Sequence, residues 1–279
     1  VAAARYNQPV MDEYLHANRR HWDELVPVHL RSSYYDVEAF KAGKSSLHAL
    51  EIGELGDVAG KTLLHLQCHF GIDTLSWARR GANVTGADFS SGAIAAARRL
   101  ATETGIEARF IESEVYSLRD KLDEQFDIVF TSYGVLSWLP DIRRWANVVA
   151  HFLRPGGTFY VAELHPIGGM FDTSAEDLRV NGPYFSSSEP ERFDDDGSYA
   201  DLDAKLNNRT TFSWPHPVSE VVTALIDAGL RIAFVHEFPY SIERWFPFME
   251  RGDDGYYHMP AEMPSIPLLY SIRANKPAP

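Results

Sequence analysis

Two stretches of the 279-residue chain that read as strands end in side chains suited to chemistry. Residues 83–87 lead into Asp88, and residues 158–164 lead into His165-Pro166. A carboxylate at the tip of a buried strand can accept hydrogen bonds from the two hydroxyls of a ribose. An imidazole with a pKa of about 6.5 can take a proton from a hydroxyl or a ring N–H at neutral pH. Proline biases the residue before it toward extended backbone. His165 is therefore expected to project into the cleft at the carboxyl end of a sheet, close to Tyr133. Its role there would be a general base or an acceptor-orienting group, the alternative being a histidine that hydrogen-bonds a lid.

The elements that must place Asp88 are legible around it. Residues 62–68 form a short apolar run of the kind that makes a buried parallel strand. His69-Phe70-Gly71 makes a tight connection, and Asp73 is set to cap a helix carrying Leu75, Trp77 and Ala78. Arg79-Arg80-Gly81 closes that helix with cations and a glycine at its negative end. The result is a βαβ unit with an acid at the tip of its second strand, a layout that binds a nucleoside beside a helix N-terminus.

On these residues the chain resembles the class I S-adenosylmethionine-dependent methyltransferases, in particular their bacterial small-molecule branch. The usual GxGxG motif reads Gln67-Cys68-His69-Phe70-Gly71, so only its last glycine remains. The strand-loop HLQCHFG followed by Asp73-Thr74-Leu75, the GADFS stretch of residues 86–90, and the LRPGG turn of residues 153–157 carry the likeness. It extends from roughly residue 63 to 164 and more loosely to 273. The resemblance implies a Rossmann-like, seven-stranded, mostly parallel α/β sheet with helices on both faces and its last strand antiparallel. It implies S-adenosyl-L-methionine as cofactor, held by Gln67, Cys68, His69, Gly71 and Thr74, by Asp88, Phe89 and Ser90, and by Glu114 and Val115 at the adenine. Ser132 and Tyr133 would border the sulfonium, and Tyr133 is grouped with His165 as catalytic.

Four segments follow from this layout: an N-terminal cap over residues 1–50, a cofactor-binding core over 51–166, a lid insertion over 167–216, and the remaining core over 217–279. In the cap, Asn18 and Trp22 lie one turn apart on a helix, which either packs on the domain edge or closes over the site. The insertion interleaves turns with aromatic residues, and a segment of this length in a compact domain is usually a functional lid or partly disordered. Trp22, Tyr35, Trp138 and Trp214 are the candidate substrate contacts. Asp194-Asp195-Asp196 suits a solvated turn, with Mg²⁺ ligation as the weaker alternative, so no metal is expected.

The net charge of −13 with no basic block argues against a nucleic-acid substrate. No run approaches the roughly 20 apolar residues that span a bilayer, and the polar N-terminus has no signal-like segment. A single cysteine suits a reducing compartment. The expectation is a cytoplasmic monomer or homodimer without membrane or nucleic-acid partners, taking a small-molecule acceptor. The expected reaction is methyl transfer to N or O of a planar or apolar metabolite, driven mainly by proximity and orientation. The competing readings are C-methylation of a prenyl diphosphate with Mg²⁺, an NAD-dependent oxidoreductase, and a non-catalytic nucleotide-binding protein. Close pyrophosphate approach needs glycine where Gln67 and His69 stand, which counts against NAD.

Overall fold

A computed structural model describes residues 8–185 and 189–278. The chain begins with a long helix, α1 (Gln8–Arg31), and two short ones, α2 (Val37–Lys41) and α3 (Ala49–Leu55). Strands and helices then alternate as β1 (Thr62–Leu66), α4 (Ile72–Arg79), β2 (Asn83–Asp88), α5 (Ser91–Thr104) and β3 (Arg109–Glu112). The core continues through β4 (Phe126–Ser132), α6 (Ile142–Phe152) and β5 (Leu153–Leu164). A hairpin of β6 (Glu191–Asp194) and β7 (Thr210–Ser213) comes next, then α7 (Val218–Asp227) and β8 (Arg231–Phe238). Three two-residue strands, β9 (Tyr240–Ser241), β10 (Glu250–Arg251) and β11 (Tyr257–His258), precede the closing strand β12 (Leu269–Asn275).

Seven strands form one sheet in the order β3-β2-β1-β4-β5-β12-β8. The pairs from β3 to β5 are parallel, and β12 runs antiparallel to both β5 and β8. The strand order reverses between β1 and β4, which opens a crevice at their carboxyl ends. Burial on both faces explains why β1 and β4 read as nearly continuous apolar runs. Helix α6 packs Ile142, Trp145, Val149 and Phe152 into the core from one face, each such side chain contributing about 1.5–3 kcal/mol by leaving water.

The structure departs from the expected boundaries at residues 153–157. They do not form a turn before β5 but belong to it, and the pairing with β4 slips between Phe126↔Leu153 and Ile128↔Thr158. The LRPGG stretch is thus an irregularity inside the strand, with Gly156 in left-handed conformation.

The N-terminal region and the insertion are stitched together. Asn18 exchanges both amide bonds with the backbone of Phe212 on β7, each 2.8 Å long. Glu24 accepts from the backbone and side-chain N–H groups of Asn207 and Asn208 at 2.7–2.8 Å. Those four donors hold the Glu24 carboxyl down at about 2 against the opposing effect of its partial burial. Two members of the acidic run form surface ion pairs, Asp194 with Arg192 and Asp196 with Lys205. Among the described residues no helix is long and apolar enough to cross a membrane.

Candidate active site

A cavity of about 870 Å³ opens at the carboxyl ends of β1, β2 and β4. Its floor is the loop from Gln67 to Gly71, whose backbone is left-handed at Gln67 (φ +57°), His69 (φ +49°) and Gly71 (φ +74°). Side chains seldom adopt this region, at a cost of order 1 kcal/mol each. Two contacts hold it here. Gln67 donates from Nε2 to Val135 O (2.9 Å), and the His69 ring bonds His29, Nε2 to Nδ1 at 2.9 Å. Gly71 has no such freedom to vary. A Cβ there would stand 2.5 Å from the Phe110 ring, so the one glycine retained is the one the packing requires.

Asp88 ends β2 beneath this loop. Its carboxylate accepts from His69 N–H (2.8 Å) and Ser90 N–H (2.9 Å), which leaves lone pairs facing the cavity. Burial pushes its carboxyl up to about 6, with the two amides opposing. Phe89, Val115 and Glu114 continue the wall, and Glu114 is fixed by accepting from Tyr116 N–H at 2.9 Å. Cys68, Ser132 and Tyr133 also line the space, as do Trp22, Tyr35 and Trp138.

Four sequence-derived candidates lie elsewhere. His165 does not line the cavity. Pro166 opens a 3-10 turn that turns the ring back, so Nδ1 accepts from Ile167 N–H (3.1 Å) and Nε2 meets Glu237 at 2.9 Å. Both nitrogens are engaged on the β8 side of the sheet, which corrects the expectation of a base in the cleft. Trp214 is buried between α1 and the turn after β4, against Tyr14, with its backbone N–H on Ser137 O. Thr74 sits under the loop bonded to His65 Nδ1 (2.8 Å), and Ser90 caps α5 while donating to Asp23. These two support the floor without reaching its surface.

Other residues reach the cavity or back its wall without having been expected there. Asp73 was expected to cap α4, but Gly71 takes the cap position and Asp73 faces the cavity, accepting from Ser46 Oγ at 2.6 Å. Its carboxyl is raised by burial. Behind the wall, and not lining it, Glu51 on α3 accepts from the Tyr133 hydroxyl (2.8 Å) and from His48 N–H (2.6 Å). Only 1% exposed, its carboxyl is pushed up to about 8 by burial. His48, Tyr34, Tyr199 and Glu243 complete the wall. Apart from Asp73, whose place beside the loop was a usable signal, these residues come from segments far apart in the chain. Among the described residues no cluster of three His, Cys, Asp or Glu is arranged to hold a metal.

Comparison with known proteins bears on this geometry. Residues 64–159 match the family described as "Methyltransferase domain". The ubiquinone biosynthesis O-methyltransferase of Photorhabdus laumondii is 34% identical over 140 residues, covering 49% of this chain and 58% of that protein. That of Salmonella arizonae is 30% identical over 141 residues, with the same coverage. The chain thus matches little more than half the length of these curated relatives. Among solved structures, an S-adenosylmethionine-dependent methyltransferase from Mesorhizobium loti superposes with a TM-score of 0.55 at 23% identity, covering 81% of this chain and 98% of that one. The glycopeptide N-methyltransferase MtfA in complex with S-adenosyl-L-methionine gives 0.53 at 16% identity, covering 83% and 92%. Residues 64–159 are thus similar to methyltransferase domains, and the seven-stranded sheet around them has the fold of the S-adenosylmethionine-dependent methyltransferases.

Proposed function

We propose that this chain transfers the methyl group of S-adenosylmethionine to N or O of a small, planar or apolar acceptor. The observation that carries the reading is one continuous cavity, lined at one end by Asp88, Glu114 and the Gln67–Gly71 loop and elsewhere by tyrosines and tryptophans. The residues present fit the cofactor. Asp88 has lone pairs free for ribose hydroxyls, Glu114 and Val115 suit the adenine edge, and Asp73 is a half-buried carboxylate paired with no lysine or arginine among the described residues, suited to the amino-acid ammonium.

When bound, the cofactor supplies an electrophilic methyl group on a sulfonium. The chain's own task is then to hold the acceptor in line and to exclude water. The N-terminal cap and the insertion serve the second purpose, Trp22 entering the wall from α1 and Tyr199 from the insertion. Tyr133 orients rather than deprotonates, because burial raises its phenol far above neutral and the hydroxyl already donates to Glu51. Calorimetric titration of the full chain with S-adenosylmethionine, S-adenosylhomocysteine and NAD tests the reading. Saturable one-to-one binding of the first two is expected; binding of NAD alone would overturn it.

A further inference from the structure

Asp73 and Glu243, two carboxylates on the cavity wall, form no ion pair with a lysine or arginine among the described residues. Glu243 accepts from the Tyr34 hydroxyl at 3.1 Å and is pushed up chiefly by burial, with the nearby Glu163 adding to it. The cations sharing the wall are engaged elsewhere. Lys44 Nζ is 3.5 Å from Asp36, and Arg251 lies 6.0 Å over the Tyr257 ring while donating from Nε to Gly255 O. His48, His65 and His69 are shifted toward the neutral form by burial. With Asp73 assigned to the cofactor's ammonium, Glu243 is left facing the acceptor's space uncompensated.

Aromatic rings surround that carboxylate. Tyr34 and Tyr199 stand edge to face with centroids 5.3 Å apart, Tyr35 is 5.1 Å from Tyr34, and the hydroxyls of Tyr35 and Tyr199 are in contact. Tyr34 and Tyr199 keep 44% and 43% of their surface open. The face of a tyrosine ring attracts a cation, and an adjacent carboxylate neutralises it. A neutral acceptor would gain from neither, and an anionic one would be repelled by Glu243.

We propose that the acceptor is an amine, bound as its ammonium ion between Tyr34, Tyr199 and Glu243 and methylated on nitrogen. This rests on the methyltransferase reading and narrows its acceptor. For transfer, the ammonium gives one proton to the Glu243 carboxylate. The freed lone pair forms the new C–N bond while the methyl–sulfur bond breaks, its electrons staying on sulfur. The proton leaves Glu243 for solvent as the N-methylammonium product departs.

The test uses the full chain saturated with S-adenosylhomocysteine and titrated calorimetrically with phenethylamine, 2-phenylethanol and phenylacetate. These are a cation, a neutral analogue and an anion of similar size. Phenethylamine is expected to bind at least about tenfold more tightly than 2-phenylethanol, with phenylacetate weakest. Glu243→Gln should abolish that preference and leave 2-phenylethanol affinity within about twofold; its affinity for S-adenosylhomocysteine reports that the variant is folded. Equal binding of the cation and its neutral analogue, binding of none of the three, or a preference that survives Glu243→Gln would each overturn the proposal. Failure of S-adenosylhomocysteine to bind the unmodified chain would instead sink the methyltransferase reading itself.

Discussion

Asp88 spends two acceptor sites on the amides of His69 and Ser90 and keeps the rest for a ligand. Asp88→Ala should therefore cost roughly 2–4 kcal/mol of S-adenosylmethionine affinity by calorimetry; an unchanged dissociation constant would place the ribose elsewhere. The opposite outcome is expected for His165. Its nitrogens serve Ile167 and Glu237, so His165→Ala should leave turnover per folded molecule within about threefold, where loss of a general base would cost 10²–10⁴-fold. A single-turnover assay with any accepted substrate decides between them. The contrast between these two residues shows what a sequence can convey. Asp88 was legible because a strand tip is fixed by its own neighbours. His165 was not, because its ring direction depends on a 3-10 turn and on a partner 72 positions away.

At the scale of elements, the alternation of strands and helices from residue 62 to 164 was readable from apolar runs, caps and glycines. The contact between the first helix and the insertion was not. Helix α1 meets β7 through Asn18 and Phe212, 194 positions apart, and nothing local in either segment announces the other. Asn18 is 1% exposed, so Asn18→Ala would leave the N–H and C=O of Phe212 without partners inside the contact. A loss of about 2–3 kcal/mol in urea unfolding is expected. Hydrogen exchange should quicken together in α1 and residues 207–214; acceleration confined to one of them would show that the two do not act as a unit.

For the whole molecule, buried titratable groups set how stability responds to pH. Glu51 keeps its proton in the folded chain up to about pH 8, whereas the unfolded chain releases it near the ordinary glutamate value. Over that window the native state binds the extra proton, so rising pH destabilises it. His29 and His65, lowered by burial to about 4 and about 3, have the opposite slope, since there the unfolded chain binds the extra protons. Their effect is complete above about pH 6.5, which leaves the interval from 6.5 to 8 to expose Glu51. Stability should fall by about 2 kcal/mol across it on account of this residue, and Glu51→Gln should remove that part of the fall. Guanidinium unfolding at three pH values in the interval measures it; an unchanged slope in the variant would mean that Glu51 is ionised in the native chain.

The imidazole of His29 joins three distant parts of the chain, bonding His69 through Nδ1 and Ser198 through Nε2, each at 2.9 Å. A neutral imidazole carries one N–H and one bare nitrogen, so these two bonds cannot both be donated by His29. If His29 gives its proton to His69, it must receive one from the Ser198 hydroxyl; if it receives from His69, it must give to Ser198. The three groups therefore share a single polarity, and reversing it at either end reverses it throughout. In one sense His69 carries its hydrogen on Nδ1, and in the other on Nε2. The tautomer of a ring on the floor of the cavity is thereby tied to the orientation of a hydroxyl in the insertion, 129 residues along the chain.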